Sequence, residues 1–408
     1  MLHHSDCLCN FEENSHTMQV AVKKTIQIAV TILLWALFST TGLAEQRGEQ
    51  LQMITPGTKM SLLTASPGSD LYAVFGHSAL WVYDPTNGID EVYNWGTFDF
   101  DTPNFYLLFM RGRLEYMLTV TPLHHFLRSY RNKDRSVDEQ VLNLTLEEKI
   151  GIYDFLLENR RPENIHYLYD FFYDNCATRI RDLVDAELEI DWGADPHPHQ
   201  ERSLRDMLKP YVSHIPWIGF GIDILLGVPA DKTATPWEYM FLPDEMAIAF
   251  QHARHNDGRL LVIAQNELLP LNHEYGRPFP ATPVWFFWVL LLLGVGSLLK
   301  PGLIRYIELP FFILLGVTGL LLFFLWFFSD HHSMSKNLNL LWALPTHLYF
   351  IFRADGSRWP KIYFRFVFYA GLMMMILWPL IPQGFHPAFF PVIGLMTLLA
   401  FRRAYKLI

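Results

Sequence analysis

The sequence predicts an α+β domain exported across a membrane and followed by an all-α bundle of about five spanning helices. Three observations lead there. The chain is 51% hydrophobic and 15% aromatic, its mean hydropathy is positive, and the apolar residues collect at its two ends. Between those ends, strand-like and helix-like stretches alternate with turn signals. Beyond Pro283, basic residues fall in every second loop between apolar stretches. A length of 408 residues allows two or more domains, at roughly 150 residues each. The net charge of −9 argues against a nucleic-acid partner.

The N-terminus reads as a secretion signal. Lys23 and Lys24 form a basic region, Ile26–Phe38 an apolar one, and Gly42-Leu43-Ala44 a cleavage site before Glu45. An uncleaved anchor helix is the alternative. Met1–Thr17 is polar and unlike the start of a signal, so Met18 is the better initiator. Cys7 and Cys9 then precede the signal, and the exported chain keeps one thiol, Cys176. Alone in an oxidising compartment, it has no partner for an internal disulfide. The expected boundaries are 1–44 for the extension and signal, 45–282 for the exported domain and 283–408 for the transmembrane domain.

Within the exported domain, Lys59–Thr64 reads as a strand. Leu71–Asp84 (LYAVFGHSALWVYD) is a clearer one, rich in β-branched and aromatic residues. It ends at the turn DPTNG, after which Ile89–Trp95 returns as the second arm of a hairpin. If Asp84 and Ile89 are opposite, Asn94 is diagonal to His77 on one face, roughly 7–8 Å away. Pro103–Arg113 is aromatic with a basic end and suits either a core helix or a rim on the bilayer. Leu118–Tyr130 is mixed. Thr145 and Glu148 form a capping box that opens a helix over Leu146–Asn159. Helices are also expected over Ser203–Val212 and Pro243–His255, and a last strand over Arg259–Ala264. Asp195, His197 and His199 lie in a proline-containing stretch that reads as a solvated loop more readily than as a metal site.

The segment YDFFYDNCATRIRD, Tyr169–Asp182, concentrates the chemistry. Asp174 and Asn175 are good N-cap residues. Cys176 then sits in the first turn of a helix running to about Glu189, whose apolar face is Ala177, Ile180, Leu183, Val184 and Leu188. A thiol there faces free N–H groups and the positive end of the helix dipole. Arg179, three residues on, adds a positive charge. All three favour the thiolate, which is the nucleophile. The competing reading is a buried cysteine acting as a small hydrophobe.

Five apolar stretches follow, near Pro283–Leu299, Leu309–Phe328, Leu338–Phe352, Ile362–Ile381 and Phe385–Phe401, close to the ~20 residues that a spanning helix needs. Lys300 and Arg305, then Arg353, Arg358 and Lys361, then Arg402, Arg403 and Lys406 mark alternate loops as cytoplasmic. The residues before Pro283 are then outside, as the signal independently requires. One outward loop, FSDHHSMSKNLN, carries Asp330, His331 and His332 to the outer surface beside the exported domain. His347 in the third stretch is expected to face the bundle interior.

A thiolate needs a base, and usually a group that orients the base. His77 in GHSALWV is the best candidate, because a strand holds it rigidly. Histidine on an early strand, then cysteine at a helix start about a hundred residues later, is the permuted order of papain-like folds. FGHSALWVYDP, DEVYNWGTFDFDTPNFYLLFMRG, NRRPENIHYLYDFFYDNCATRIRD and the downstream GIDILLG and FLP together resemble the exported domain of the Lnb-type lipoprotein N-acyltransferases. These are inner-membrane proteins of Gram-negative bacteria. The resemblance covers roughly Thr55–Gly258, and the spans fit it, including SDHH and NLNLLW. More distantly, the same stretches resemble permuted papain-like thiol enzymes such as NlpC-type peptidases and lecithin:retinol acyltransferase.

The resemblance implies an acyltransferase that moves a fatty acyl group onto the α-amino group of the S-diacylglyceryl cysteine of a lipoprotein. Cys176 is then the nucleophile and His77 its base. Its partners are the diacylglyceryl-modified lipoproteins, a phospholipid acyl donor and the membrane, and no metal or other cofactor is implied. Asn94 as the orienting residue follows from hairpin geometry, not from the resemblance. Asn175 and Arg179 are candidates for supporting the oxyanion, and Asp330, His331 and His332 for binding a head group or completing the site. Two other readings remain: a papain-like cell-wall peptidase or amidase anchored in the membrane, and a non-enzymatic membrane-tethered binding protein.

Overall fold

A computed structural model describes residues 54–193, 201–271, 282–298, 301–353 and 358–405. The signal segment with Met18, Cys7 and Cys9, and the stretch with Asp195, His197 and His199, lie outside the described residues. The element order is β1 (Lys59–Ala65), β2 (His77–Asp84), β3 (Ile89–Thr97), α1 (Phe105–Met110), β4 (Glu115–Thr121), α2 (Leu123–Arg131), β5 (Val137–Leu142), α3 (Leu146–Asn159), β6 (His166–Leu168), α4 (Cys176–Glu187), β7 (Ile190–Asp191), α5 (Leu204–Val212), α6 (Pro216–Leu225), α7 (Pro236–Tyr239), α8 (Pro243–His252), β8 (Arg254–His255) and β9 (Val262–Leu269). The membrane part follows with α9 (Pro283–Ser297), α10 (Pro301–Phe327), α11 (His347–Phe350), α12 (Arg358–Leu377) and α13 (Phe389–Tyr405).

Seven strands form one antiparallel sheet in the order β6-β4-β3-β2-β1-β5-β9. Both faces are covered. Leu62, Leu80, Val82, Tyr93 and Trp95 pack on the side of α3 and α4. Leu63, Ala79, Trp81 and Val92 pack on the side of α2, against Phe126 and Tyr130. Double coverage explains why β2 is buried along almost its whole length instead of alternating. The apolar face of α4 is buried as the sequence predicts, with Ala177, Ile180, Leu183 and Val184 against the sheet. Each large side chain there contributes about 1.5–3 kcal/mol of burial.

Two local expectations need correction, and one strand has no clear sequence signal. The strand expected from Leu71 begins only at His77, because Leu71–Ala73 forms an exposed 3₁₀ turn. Gly76, at φ +81, then redirects the chain into the sheet. The last strand is Val262–Leu269, since the Asp257-Gly258 turn ties Arg259 to the Asn143 carbonyl and to Glu148 instead of to a ladder. Strand β5 was hidden by its polarity. Its Glu139 is buried, but Lys59, Ser61 and Asn266 satisfy the carboxylate at 2.7–2.8 Å.

The membrane part also departs from five continuous helices. Among the described residues, Tyr306–Phe327 and Arg358–Leu380 are long and apolar enough to cross a membrane, and α9 is a shorter apolar helix. Central α13 packs against α9 and α12. Large apolar side chains such as Leu292 and Ile376 stand on the outside, 65% and 72% exposed, the surface that lipid-facing helices present. The third apolar stretch, Leu338–Phe352, is not a span. It is a 3₁₀ turn at Leu338–Leu341, then Pro345, then the single turn α11. Pro345 lacks the N–H a continuous helix needs. Trp342 and Ala343 within this stretch are buried in the core of the bundle. His347 does face the interior: Nε2 donates to the Trp342 carbonyl at 3.0 Å, and Nδ1 accepts from the Tyr363 hydroxyl at 2.8 Å.

Two asparagines at the start of that stretch fasten it to α6. Asn337 Nδ2 donates to the Ile224 and Leu225 carbonyls, and Asn339 Nδ2 to those of Asp223 and Ile224, at 2.8–3.1 Å. They cap the otherwise orphaned C-terminus of α6, and both asparagines are fully buried. Asn337→Ala is therefore expected to destabilise the full-length protein by about 1–3 kcal/mol, read as a lower unfolding midpoint in detergent.

Candidate active site

Helix α4 is held by a reciprocal capping box. Asn175 Oδ1 accepts from the Ala177 and Thr178 N–H groups at 2.8 and 2.9 Å, and Thr178 Oγ1 accepts from the Asn175 N–H at 2.8 Å. Asn175 Nδ2 donates to the Phe171 and Phe241 carbonyls. The side chain thus has no N–H left for a substrate, so Asn175 is a cap and not an oxyanion donor. The cap fixes Cys176 as the first residue of the helix. The Arg179 N–H goes to the Asn175 carbonyl. Of the first-turn donors, the Cys176 N–H remains without an acceptor among the described residues.

The hairpin supplies the other half. Asp84 pairs with Ile89 and Leu80 with Tyr93, the register expected from the turn. His77 and Asn94 therefore share a face, and the His77 Nε2–H is hydrogen-bonded to Asn94 Oδ1. Asn94 Nδ2 donates to Thr119 Oγ1 at 3.3 Å, and Thr119 Oγ1 lies 2.9 Å from Thr97 Oγ1. This threonine pair sets the amide so that its oxygen faces the imidazole. With Nε2 engaged, Nδ1 is the nitrogen left for the thiol. A bulge interrupts the β3–β4 pairing between Asn94 and Thr97, and Gly96 within it has φ +95. A Cβ built on Gly96 would lie 3.9 Å from Cys176 Cβ, 4.0 Å from His77 Cε1 and 4.0 Å from Tyr167 Oη. The glycine leaves a slot bounded by these three groups.

Electrostatics favour charge on both groups. Burial alone pushes the Cys176 thiol up, but the charge and hydrogen bond of His77 and the N–H groups of Ser78 and Ala177 outweigh it, so the thiol lies below its ordinary value. Burial pulls His77 down, but the Cys176 thiolate and the hydrogen bonds to Cys176 and Asn94 lift it above its ordinary value. Both directions favour a thiolate–imidazolium pair. Asn94→Ala removes one group that favours imidazolium. The pair should then survive to a less alkaline limit, and acylation should slow by roughly 10- to 100-fold, part of what a positioned base supplies. The alkaline limb of the pH–rate profile, measured beside wild type, checks this.

The remaining predicted residues lie elsewhere. Arg179 is forked onto Asp174 at 2.6 and 2.8 Å, and its guanidinium lies 3.6 Å above the Tyr167 ring. Asp174 thus neutralises the charge expected to act on Cys176. Asp330 pairs with Arg113 at 2.5 Å, its N–H donates to the Arg111 carbonyl, and the His331 imidazole bonds the Phe109 carbonyl at 2.8 Å. The His332 ring meets Tyr173 edge-on. The outward loop therefore docks on α1 and on the approach to the cysteine, not on the Cys176–His77 pair.

That docking makes α1 a rim. None of its residues is buried, and Tyr106 and Phe109 are 76% and 50% exposed. Between it and the C-terminal end of α10 lies an open cleft of 460 Å³, lined by Leu107, Phe324, Phe327 and Phe328 together with Arg111 and Arg113. A train of aromatic contacts runs from α1 inward: Phe105 to Phe98, Phe98 to Tyr116, and Tyr116 stacked on Tyr169 at 4.4 Å. Gly96, Thr97, Thr119 and Tyr167 were not singled out from the sequence. Strand alternation in EYMLTVT pointed to Thr119, once its register with Asn94 is known.

Residues 50–204 match the family model of the Lnb N-terminal periplasmic domain, and residues 274–408 match that of the Lnb transmembrane domain. No curated protein and no solved structure matches the chain. A periplasmic domain joined to a transmembrane domain is the arrangement of an inner-membrane protein. With both of the family's domains present in order, the chain belongs to the Lnb-type lipoprotein N-acyltransferases.

Proposed function

We propose that the protein transfers a fatty acyl group from a phospholipid to the α-amino group of an S-diacylglyceryl cysteine, through a thioester on Cys176. The observation that carries this reading is the meeting of Cys176, His77 and Asn94 beside the Gly96 slot. The Cys176 thiolate attacks the ester carbonyl of the donor. The carbon–oxygen bond breaks, the leaving lysolipid alkoxide takes a proton from the His77 imidazolium, and a thioester remains. The lipoprotein amine then attacks the thioester and gives its proton to His77. The carbon–sulfur bond breaks as the amide forms, and the thiolate returns. The order of a strand histidine and a helix-start cysteine supports a permuted papain-like arrangement of the domain, and the expected boundaries at 45–282 and 283–408 suit it.

Both substrates are anchored in the bilayer, which supports a multi-pass protein holding its site at the outer surface. The apolar rim α1, fastened to the end of α10, suits contact with the outer leaflet. Arg111 in the lining of the cleft suits a lipid phosphate, and the aromatic train suits an acyl chain. Mass spectrometry of lipoprotein N-termini tests the function, in cells lacking other N-acyltransferases. An N-acyl group should appear with this protein and vanish without it. N-termini that stay free in its presence contradict the reading.

A further inference from the structure

We infer that the Tyr167 hydroxyl is a catalytic oxyanion donor that works with the Cys176 N–H. This rests on the thiol mechanism proposed above. Tyr167 is 8% exposed, and its hydroxyl has no hydrogen-bond partner among the described residues. Leaving a buried hydroxyl unpaired is unfavourable, and an acceptor that arrives with the substrate would relieve it. The hydroxyl points to where such an acceptor forms, since Tyr167 Oη, Cys176 Cβ and His77 Cε1 all lie within 4.0 Å of the position a Gly96 Cβ would take. A carbonyl carbon attacked by the sulfur in that slot places its oxygen between the phenol and the helix start. The other first-turn N–H groups are committed to Asn175, so the helix alone offers one donor where tetrahedral intermediates are commonly held by two.

The surroundings suit a neutral donor. Burial and the Cys176 charge push the phenol far above its ordinary value, so it keeps its proton. The ring is fixed by the Arg179 guanidinium above it and by pairing of Tyr167 with Tyr116 across β6 and β4. In the first step the phenol holds the oxygen of the attacked ester as negative charge develops, and it releases that oxygen when the carbonyl re-forms. No proton leaves the tyrosine.

The test is Tyr167→Phe in the full-length protein, which keeps the ring beneath Arg179. Acylation by a phospholipid with a labelled acyl chain, followed in single turnover, should fall on the order of 10²-fold. Alkylation of Cys176 by iodoacetamide should stay within twofold of wild type across pH, showing an intact fold and thiolate. Acylation within twofold of wild type overturns the assignment. So does a parallel loss of alkylation, which would make Tyr167 a positioning residue for the thiolate. If wild type N-acylates lipoproteins without forming a labelled enzyme, the thioester reading fails separately. The steady-state N-acylation rate of the variant then judges Tyr167 by the same criterion.

Discussion

Cys176→Ala should abolish lipoprotein N-acylation, by on the order of 10⁴–10⁶-fold, as loss of a nucleophile does when the rest of the site survives. The fold should survive, because Asn175 and not Cys176 caps α4, and because the apolar face of the helix begins at Ala177. Removal of a partly buried thiol leaves a small gap, and His77, without the thiolate, reverts to the neutral form that burial favours. The variant should express, insert and unfold near the wild-type midpoint while giving no N-acyl product. Mass spectrometry of lipoprotein N-termini reads the first result and thermal unfolding in detergent the second. A Cys176→Ala protein that still acylates would place the nucleophile on another residue.

His77→Ala has the second largest expected effect, about 10²–10⁴-fold on acylation. It also carries a distinctive pH signature. His77 is what overcomes burial at Cys176. Without it, burial should raise the thiol above its ordinary ~8.5, so the alkylation midpoint moves to higher pH. In wild type the reactive pair exists between the lowered thiol value and the raised imidazole value. Below that window the thiolate is protonated; above it the imidazolium is lost. His77→Ala removes the acid-side advantage, and Asn94→Ala lowers only the upper edge. The two variants should thus differ in which limb moves: iodoacetamide alkylation across pH reads the acid-side shift of His77→Ala, and the alkaline limb of the acylation profile reads that of Asn94→Ala.

Local signals carried most of the exported domain's active half. The DPTNG turn fixed the hairpin register, and the register put Asn94 beside His77. The T-x-x-E box gave the start of α3, and the apolar spacing in ATRIRDLV gave the buried face of α4. Long-range choices were not legible. Arg179 looked like a free charge until Asp174, on a neighbouring turn, claimed it. Asn175 looked available until its amide met the Phe241 carbonyl, 66 residues away. Leu338–Phe352 is apolar enough to pass for a span, but Pro345 breaks it and its first residues serve the α6 carbonyls. Tyr167 was hidden because its role depends on a bulge at Gly96, and no periodicity reports a bulge.

The central claim is an acyl group carried by the Cys176 sulfur. Intact and peptide mass spectrometry of the full-length protein, quenched after incubation with phospholipid alone, tests it most directly. The account predicts one fatty acyl mass on the peptide containing Cys176, removed by neutral hydroxylamine and consumed when an S-diacylglyceryl peptide with a free amine is added. An active enzyme that carries no such mass, or carries it on another residue, would contradict it.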